Sequence, residues 1–239
     1  MNKNFIAVID SGIGGLSTLK LLLDNVKGYN FIYFGDNSNA PYGLKTNAKL
    51  LSLFSFNYSL LAEYPICAIV IACNTLSAVV DNTIIKDFPV PIFKIYPPVE
   101  SLLKKGKTLL IATPLTSSKY SQSEAITVFP CPNLALDIES NPFNLNSLDL
   151  YKHFGSLKYT KGYFDNVILG CTHYELIKNQ IFDHFCPKNI LSGSAFTLQN
   201  LSAYLKTLKS LDFINRNEVL FIGKNAKFNK SVFEKVVNR

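Results

Sequence analysis

The chain has 239 residues, 48% hydrophobic and 17% charged, with a net charge of +7. That apolar share can fill one large core or two small ones and excludes a mostly disordered chain. Its five cysteines, an odd number without C-x-x-C spacing, exclude a disulfide framework and a close-spaced metal site, so the thiols are read as reduced and the compartment as cytoplasmic.

The chain opens on a short apolar run, Phe5 to Ile9, which reads as a strand. No signal-peptide pattern precedes it, and no later apolar run reaches membrane-spanning length, so no membrane partner is expected. A glycine turn, Ser11-Gly-Ile-Gly-Gly15, leads into a helix over Leu16–Leu23. Phe31–Phe34 is a second strand, and residues 44–63 carry a helical stripe through Leu50, Phe54 and Leu61. Ala68–Ala72 reads as a strand buried on both faces, followed by a helix over about Thr75 to Asp87. Pro89 and Pro91 punctuate the exit to a fourth strand, Ile92–Ile95.

The pattern then restarts. Thr108–Ala112 is a strand, and Thr113-Pro-Leu-Thr opens a helix. Ile126–Phe129 and Leu134–Ile138 read as weaker strands, and residues 140–149 as a loop. Asn166–Gly170 is a strand with a helix from about Thr172; Glu218–Ile222 is a late strand before a helical tail. Alternating strands and helices with apolar strands predict an α/β fold on parallel sheets, with Tyr96-Pro97-Pro98 as a crossing point between two units.

Residues 206–239 hold eight lysines or arginines against three acids, spaced as on the wet face of a terminal helix. The whole chain has two arginines, which weakens bidentate phosphate or base recognition, so a nucleic-acid partner is not expected.

Ligands of open α/β sheets gather at the carboxyl ends of strands. Four turns lie there. Asp10-Ser-Gly-Ile-Gly-Gly15 lacks both the dinucleotide and the P-loop glycine pattern and suits a small carboxylate better than a pyrophosphate. Asp36-Asn-Ser-Asn-Ala-Pro-Tyr-Gly43 offers Tyr42 and the Gly43 backbone. Ala72-Cys-Asn-Thr75 and Gly170-Cys-Thr-His173 each set a cysteine where a buried strand meets a helix start, a position that favours the thiolate. Cys67, Cys131 and Cys186 read as small buried hydrophobes. Two thiols facing one another across a small carboxylate ligand can take a proton from one face of a carbon and return one to the other, inverting it. Asp10 would assist Cys73, and His173 would assist Cys171. A cysteine–histidine hydrolase would explain one cysteine only, and a zinc site or redox disulfide lacks its spacing.

Taken together, Asp10-Ser-Gly-Ile-Gly-Gly15, Asp36-Asn with Pro41-Tyr-Gly43, Ala72-Cys-Asn-Thr75, Ile111-Ala-Thr-Pro114 and Leu169-Gly-Cys-Thr-His-Tyr174 resemble the glutamate racemase family, over about residues 5–205. The resemblance implies two similar three-layer parallel-sheet lobes with the site between them, expected as residues 1–95 with 206–239, and 96–205. It implies Cys73 and Cys171 as the paired acid/base groups, with Glu139 supporting the second. Asp10, Ser11, Tyr42, Gly43, Asn74, Thr75, Thr172 and His173 match substrate-holding positions. It further implies glutamate as substrate, no metal or pyridoxal phosphate, a homodimer, and D-glutamate supply for peptidoglycan. The chain departs from the family pattern at Glu175, where proline is usual, in the serines of Leu191-Ser-Gly-Ser-Ala195, and in a shortened 113–135 region. A racemase of aspartate or another acidic amino acid and a non-catalytic basic binding protein are the alternatives.

Overall fold

Strand β1 (Phe5–Asp10) alternates its side chains between two helical layers. Ile6 and Val8 pack with Leu16, Leu19 and Leu22 of α1 (Gly15–Asn25); Ala7 and Ile9 pack with Leu50, Phe54 and Leu61 of α2 (Asn47–Leu61). The period of two along the strand thus serves two cores, and each buried leucine or phenylalanine contributes roughly 1.5–3 kcal/mol. The computed structural model describes residues 5–86, 88–102, 105–159, 161–208 and 217–237.

Between those helices runs β2 (Asn30–Gly35), and after α2 comes β3 (Ile66–Ile71), buried along its whole length. The helix expected over 75–87 is instead two short pieces, α3 (Asn74–Ser77) and α4 (Asn82–Ile85). Asp81 divides them by accepting the Thr83 and Ile84 amides, which makes it the N-cap of a new helix. The expected end of that helix, Asp87, lies outside the described residues. β4 (Ile92–Lys94) closes this run.

The second run holds β5 (Thr108–Ala112), α5 (Pro114–Ser117), β6 (Ile126–Pro130), α6 (Leu134–Ser140), α7 (Leu150–Phe154), β7 (Asn166–Gly170), α8 (Lys178–Phe185) and β8 (Asn189–Ser192). The strand expected at Leu134–Ile138 is helix α6. Its apolar residues also alternate, but the structure buries Leu134, Ala135 and Ile138 at helical spacing and leaves Leu136 38% exposed. The expected loop at 140–149 contains 3-10 turns over Pro142–Ser147. The helix expected from Thr172 begins as a 3-10 turn, Thr172–Ile177, before α8. α9 (Ser194–Leu205) then leads back to the first sheet, which β9 (Val219–Ile222) joins ahead of α10 (Ala226–Val232).

Two all-parallel sheets result, ordered β4-β3-β1-β2-β9 and β6-β5-β7-β8. The α1 face of the first sheet shares one continuous core with Leu109, Ile111, Val167 and Leu169 of the second. That shared core aligns the carboxyl ends of β1, β3 and β7 at one seam. No described helix is long and apolar enough to cross a membrane. Of the tail cations, Lys206, Lys224, Lys227, Lys230 and Lys235 are exposed, while Lys209, Arg216 and Arg239 lie outside the described residues.

Candidate active site

β1 delivers Asp10 to the seam, and the next turn crosses directly against the second lobe. A Cβ on Gly12 would land on the Glu139 carboxylate, and one on Gly14 would lie 2.6 Å from the His173 amide nitrogen and Nδ1. These glycines are therefore required by close approach. The carboxylates their turn binds belong to the protein itself. Asp10 Oδ1 accepts the Gly12 amide at 2.8 Å, and Glu139 Oε2 accepts the Ile13 amide at 2.9 Å.

Cys73 follows β3 and caps the four-residue α3; Cys171 follows β7 and opens the 3-10 turn. Both are buried, at 5% and 7% exposure. Cys73 donates to Ser11 Oγ at 3.7 Å, and Cys171 Sγ lies 3.8 Å from His173 Nδ1. Burial first, then the charge of Asp10, pushes the Cys73 thiol up to about 12, against the lowering pull of the Leu76 amide. The expectation that the helix start favours a Cys73 thiolate is thus reversed: one short turn of helix does not outweigh a dry site with a carboxylate in it. The charge of Cys171 also acts on Cys73, placing both sulfurs in one electrostatic environment.

The second cysteine has different company. His173 Nε2 lies 2.6 Å from Glu139 Oε2. Burial disfavours a charged imidazole, but Cys171 and Glu139 outweigh it and raise His173 well above its ordinary range. Burial likewise opposes the Glu139 charge, yet the His173 contact, the Ile13 amide and the Asn37 side chain hold its carboxyl below the usual value. Asp10 is shifted the other way, raised by burial despite His173, and Thr172 Oγ1 donates to its Oδ2 at 3.1 Å. Burial and Asp10 thus favour the protonated Cys73 thiol, while Cys171 and Glu139 favour the charged form of His173.

Of the remaining candidates, Thr75 Oγ1 is 2.9 Å from Thr113 Oγ1, and Gly43 abuts Thr113 so closely that its Cβ would lie 2.6 Å away. The Tyr42 hydroxyl is already committed: it donates to Asp36 at 2.7 Å and accepts from Asn57 at 3.2 Å. Asn74 is 3% exposed, and its Nδ2 has no hydrogen-bond partner among the described residues. Ser117 Oγ, on the α5 helix that packs against α3, is also buried without one. Such donors cost stability unless something else accepts from them.

Sequence reasoning missed Thr113, Thr116 and Asn37 as site residues. Thr113 caps α5 and donates to Thr116 Oγ1 at 3.1 Å; its position after β5 was the available signal. Asn37 donates to Glu139 at 2.5 Å and stands beside the singled-out Asp36. Cys186 does not fit the buried-thiol reading. It is exposed, in the left-handed conformation (φ 48°) that ends α8 at the surface. Glu175 stands in the first turn of the Thr172–Ile177 3-10 helix; its half-buried carboxyl accepts from Ser194 Oγ at 2.6 Å, and burial pushes it up.

No family model matches the chain. A glutamate racemase of Clostridium acetobutylicum is 34% identical over 228 residues, covering 90% of this chain and 88% of that protein. Among solved structures, the glutamate racemase isoform RacE1 of Bacillus anthracis superposes with a TM-score of 0.80 at 25% identity, covering 100% of this chain and 94% of the other. The Thermus thermophilus glutamate racemase, in complex with beta-chloro-D-alanine, gives 0.78 at 27% identity, covering 98% and 93%. With the two-lobed fold, the paired cysteine turns and this similarity along nearly its whole length, the chain belongs to the glutamate racemase family of amino-acid racemases.

Proposed function

We propose that the protein interconverts L- and D-glutamate without a cofactor, with Cys73 and Cys171 as the two proton carriers. The observation that carries this reading is the pair of buried sulfurs in one site, each with its own acid-derived partner: Asp10 for Cys73, and the Glu139–His173 pair for Cys171. One cysteine, as thiolate, takes the α-hydrogen. The C–H bond breaks, an S–H bond forms, and the electron pair stays on the α-carbon, delocalised toward the carboxylate. The opposite thiol then gives its proton to the other face and is left as thiolate. Nothing is oxidised or transferred, and the two cysteines end with their protonation exchanged.

The imidazolium of His173 supplies a counter-charge when sulfur 171 is negative. Asp10, through its charge and its hold on Gly12 and Thr172, sets the environment of Cys73. The unpaired Asn74 Nδ2 and Ser117 Oγ are donors for substrate carboxylates, with Ser11, Thr75 and the Gly43 backbone completing the polar wall. D-glutamate supply for peptidoglycan, a cytoplasmic location and a homodimer belong to the same proposal. So does the division into lobes 1–95 with 206–239, and 96–205, with α9 packing across onto α1 and β4.

Circular dichroism of L-glutamate and of D-glutamate in deuterated buffer tests the reaction. Both should decay to a racemate with deuterium at the α-carbon, and Cys73→Ala or Cys171→Ala should abolish it. Full activity in either variant would sink the two-cysteine mechanism, and racemisation of aspartate in place of glutamate would correct the substrate.

A further inference from the structure

The Glu139 carboxylate is held by more than His173. Its Oε1 accepts Asn37 Nδ2 at 2.5 Å, and Asn37 Oδ1 accepts Asn229 Nδ2 at 2.9 Å. Asn229 is fully buried on α10, nearly two hundred residues away in the chain. A continuous run of polar contacts thus leads from the C-terminal helix through the loop after β2 to Glu139, His173 and Cys171.

The direction of each amide matters. An asparagine side chain presents a donor at one end and an acceptor at the other. Asn229 Nδ2 can only donate, so it fixes Asn37 with Oδ1 toward α10 and Nδ2 toward Glu139. Turned over, Asn37 would press a carbonyl oxygen against a carboxylate. Asn229 also sits close against β2, its Nδ2 lying 2.7 Å from where a Cβ on Gly35 would sit. Its Oδ1 is buried without a partner among the described residues, so the Nδ2 donor is the end of this amide that the fold uses. The Asn37 loop is pinned twice more: Ser38 Oγ donates to Asn225 Oδ1 at 3.0 Å, and β9 pairs in parallel with the strand from which the loop leaves.

We infer that Asn229 is a positioning residue for the acid–base group at Cys171, acting through Asn37 to orient the Glu139 carboxylate against His173. The C-terminal segment therefore acts most directly on the proton transfer at Cys171, whose partner His173 touches Glu139, and only at second hand on Cys73, through the charge of Glu139 on Asp10. This inference rests on the racemase reading above.

That one-sidedness gives a readout that loss of fold would not mimic. Because the two enantiomers are equally stable, kcat/KM must fall equally in both directions. The primary isotope effect from an α-deuterium label need not. Slowing the step at Cys171 makes removal of the label more rate-limiting for the enantiomer that Cys171 deprotonates, and less so for its mirror image.

The experiment measures kcat/KM and its α-deuterium effect with labelled L- and D-glutamate on the wild type, Asn229→Ala and Asn37→Ala, with thermal melting alongside. Asn37 is only half-buried, so its variant guards against a folding failure at Asn229. We expect kcat/KM to fall roughly tenfold for Asn37→Ala, as for loss of a hydrogen bond to a charged group, and about threefold or more for Asn229→Ala. In both, the isotope effect should rise for one enantiomer and fall for the other. Isotope effects that stay at wild-type values in the Asn37→Ala enzyme overturn the inference, whatever happens to melting. A wild type that racemises neither enantiomer overturns the racemase reading itself, a separate result.

Discussion

Glu139 and Ile13 come from different lobes, yet the Glu139 carboxylate accepts the Ile13 amide at 2.9 Å in the middle of the seam. Thr172 of the second lobe makes the return contact, donating to Asp10 of the first at 3.1 Å. Each lobe's acid is thus secured by the other lobe's turn.

The Glu139–His173 pair fixes a pH window for stability. The Glu139 carboxyl is lowered from 4.5, so its stabilising contribution is complete above 4.5 and is lost as pH falls through the lowered value. His173 is raised from 6.5, so its contribution is complete below 6.5 and is lost as pH rises through the raised value. The melting difference between wild type and Glu139→Gln should therefore be largest between pH 4.5 and 6.5 and shrink on both sides. A difference that is flat with pH would show that the pair does not titrate this way.

Gly14 should tolerate substitution less well than Gly12. The atoms a Gly12 Cβ would meet belong to the Glu139 side chain, which can give way; those at Gly14 include the His173 backbone nitrogen. Gly14→Ala should cost about 1–3 kcal/mol of stability from overpacking. Gly12→Ala should cost less stability while displacing Glu139 and lowering activity. Denaturant unfolding with parallel activity assays separates the two, and the reverse order of stabilities would contradict the packing described.

Asn74 trades stability for binding. Its Nδ2 is buried without a hydrogen-bond partner among the described residues. Asn74→Ala should melt no lower than the wild type, while KM for glutamate rises by about tenfold, the scale of a hydrogen bond to a charged group. A lower melting temperature with unchanged KM would make Asn74 a structural residue instead.

Glu175 should weaken the fold as pH rises. Burial raises its carboxyl from 4.5, so ionising it costs folding energy above 4.5, and the cost is absent in acid, where both states are protonated. Glu175→Gln should melt with the wild type near pH 4 and above it at pH 8. An equal melting temperature at pH 8 would show that Ser194 fully compensates the charge.

Strands with long apolar runs were the most legible part of the fold. β1, β3, β5 and β7 are buried along almost their whole length and could be read directly from the chain. Leu134–Ile138 was not legible, since in a five-residue run the apolar spacings of strand and helix coincide, and tertiary packing chose the helix. β8 and α9 gave no one-sided apolar pattern: every β8 residue is at least partly exposed, and the apolar residues of α9 run from buried Leu201 to exposed Phe196. Within the site, residues immediately after strands were visible because position alone marks them. Asn37 and Asn229 were not, because their importance lies in one contact between segments 192 positions apart.

Both sulfurs lie under a seam built from glycine turns and backbone, with no room left at Gly12 or Gly14. At 5% and 7% exposure neither sulfur meets bulk water in this conformation, so a thiol reagent in solution meets the exposed Cys186 first.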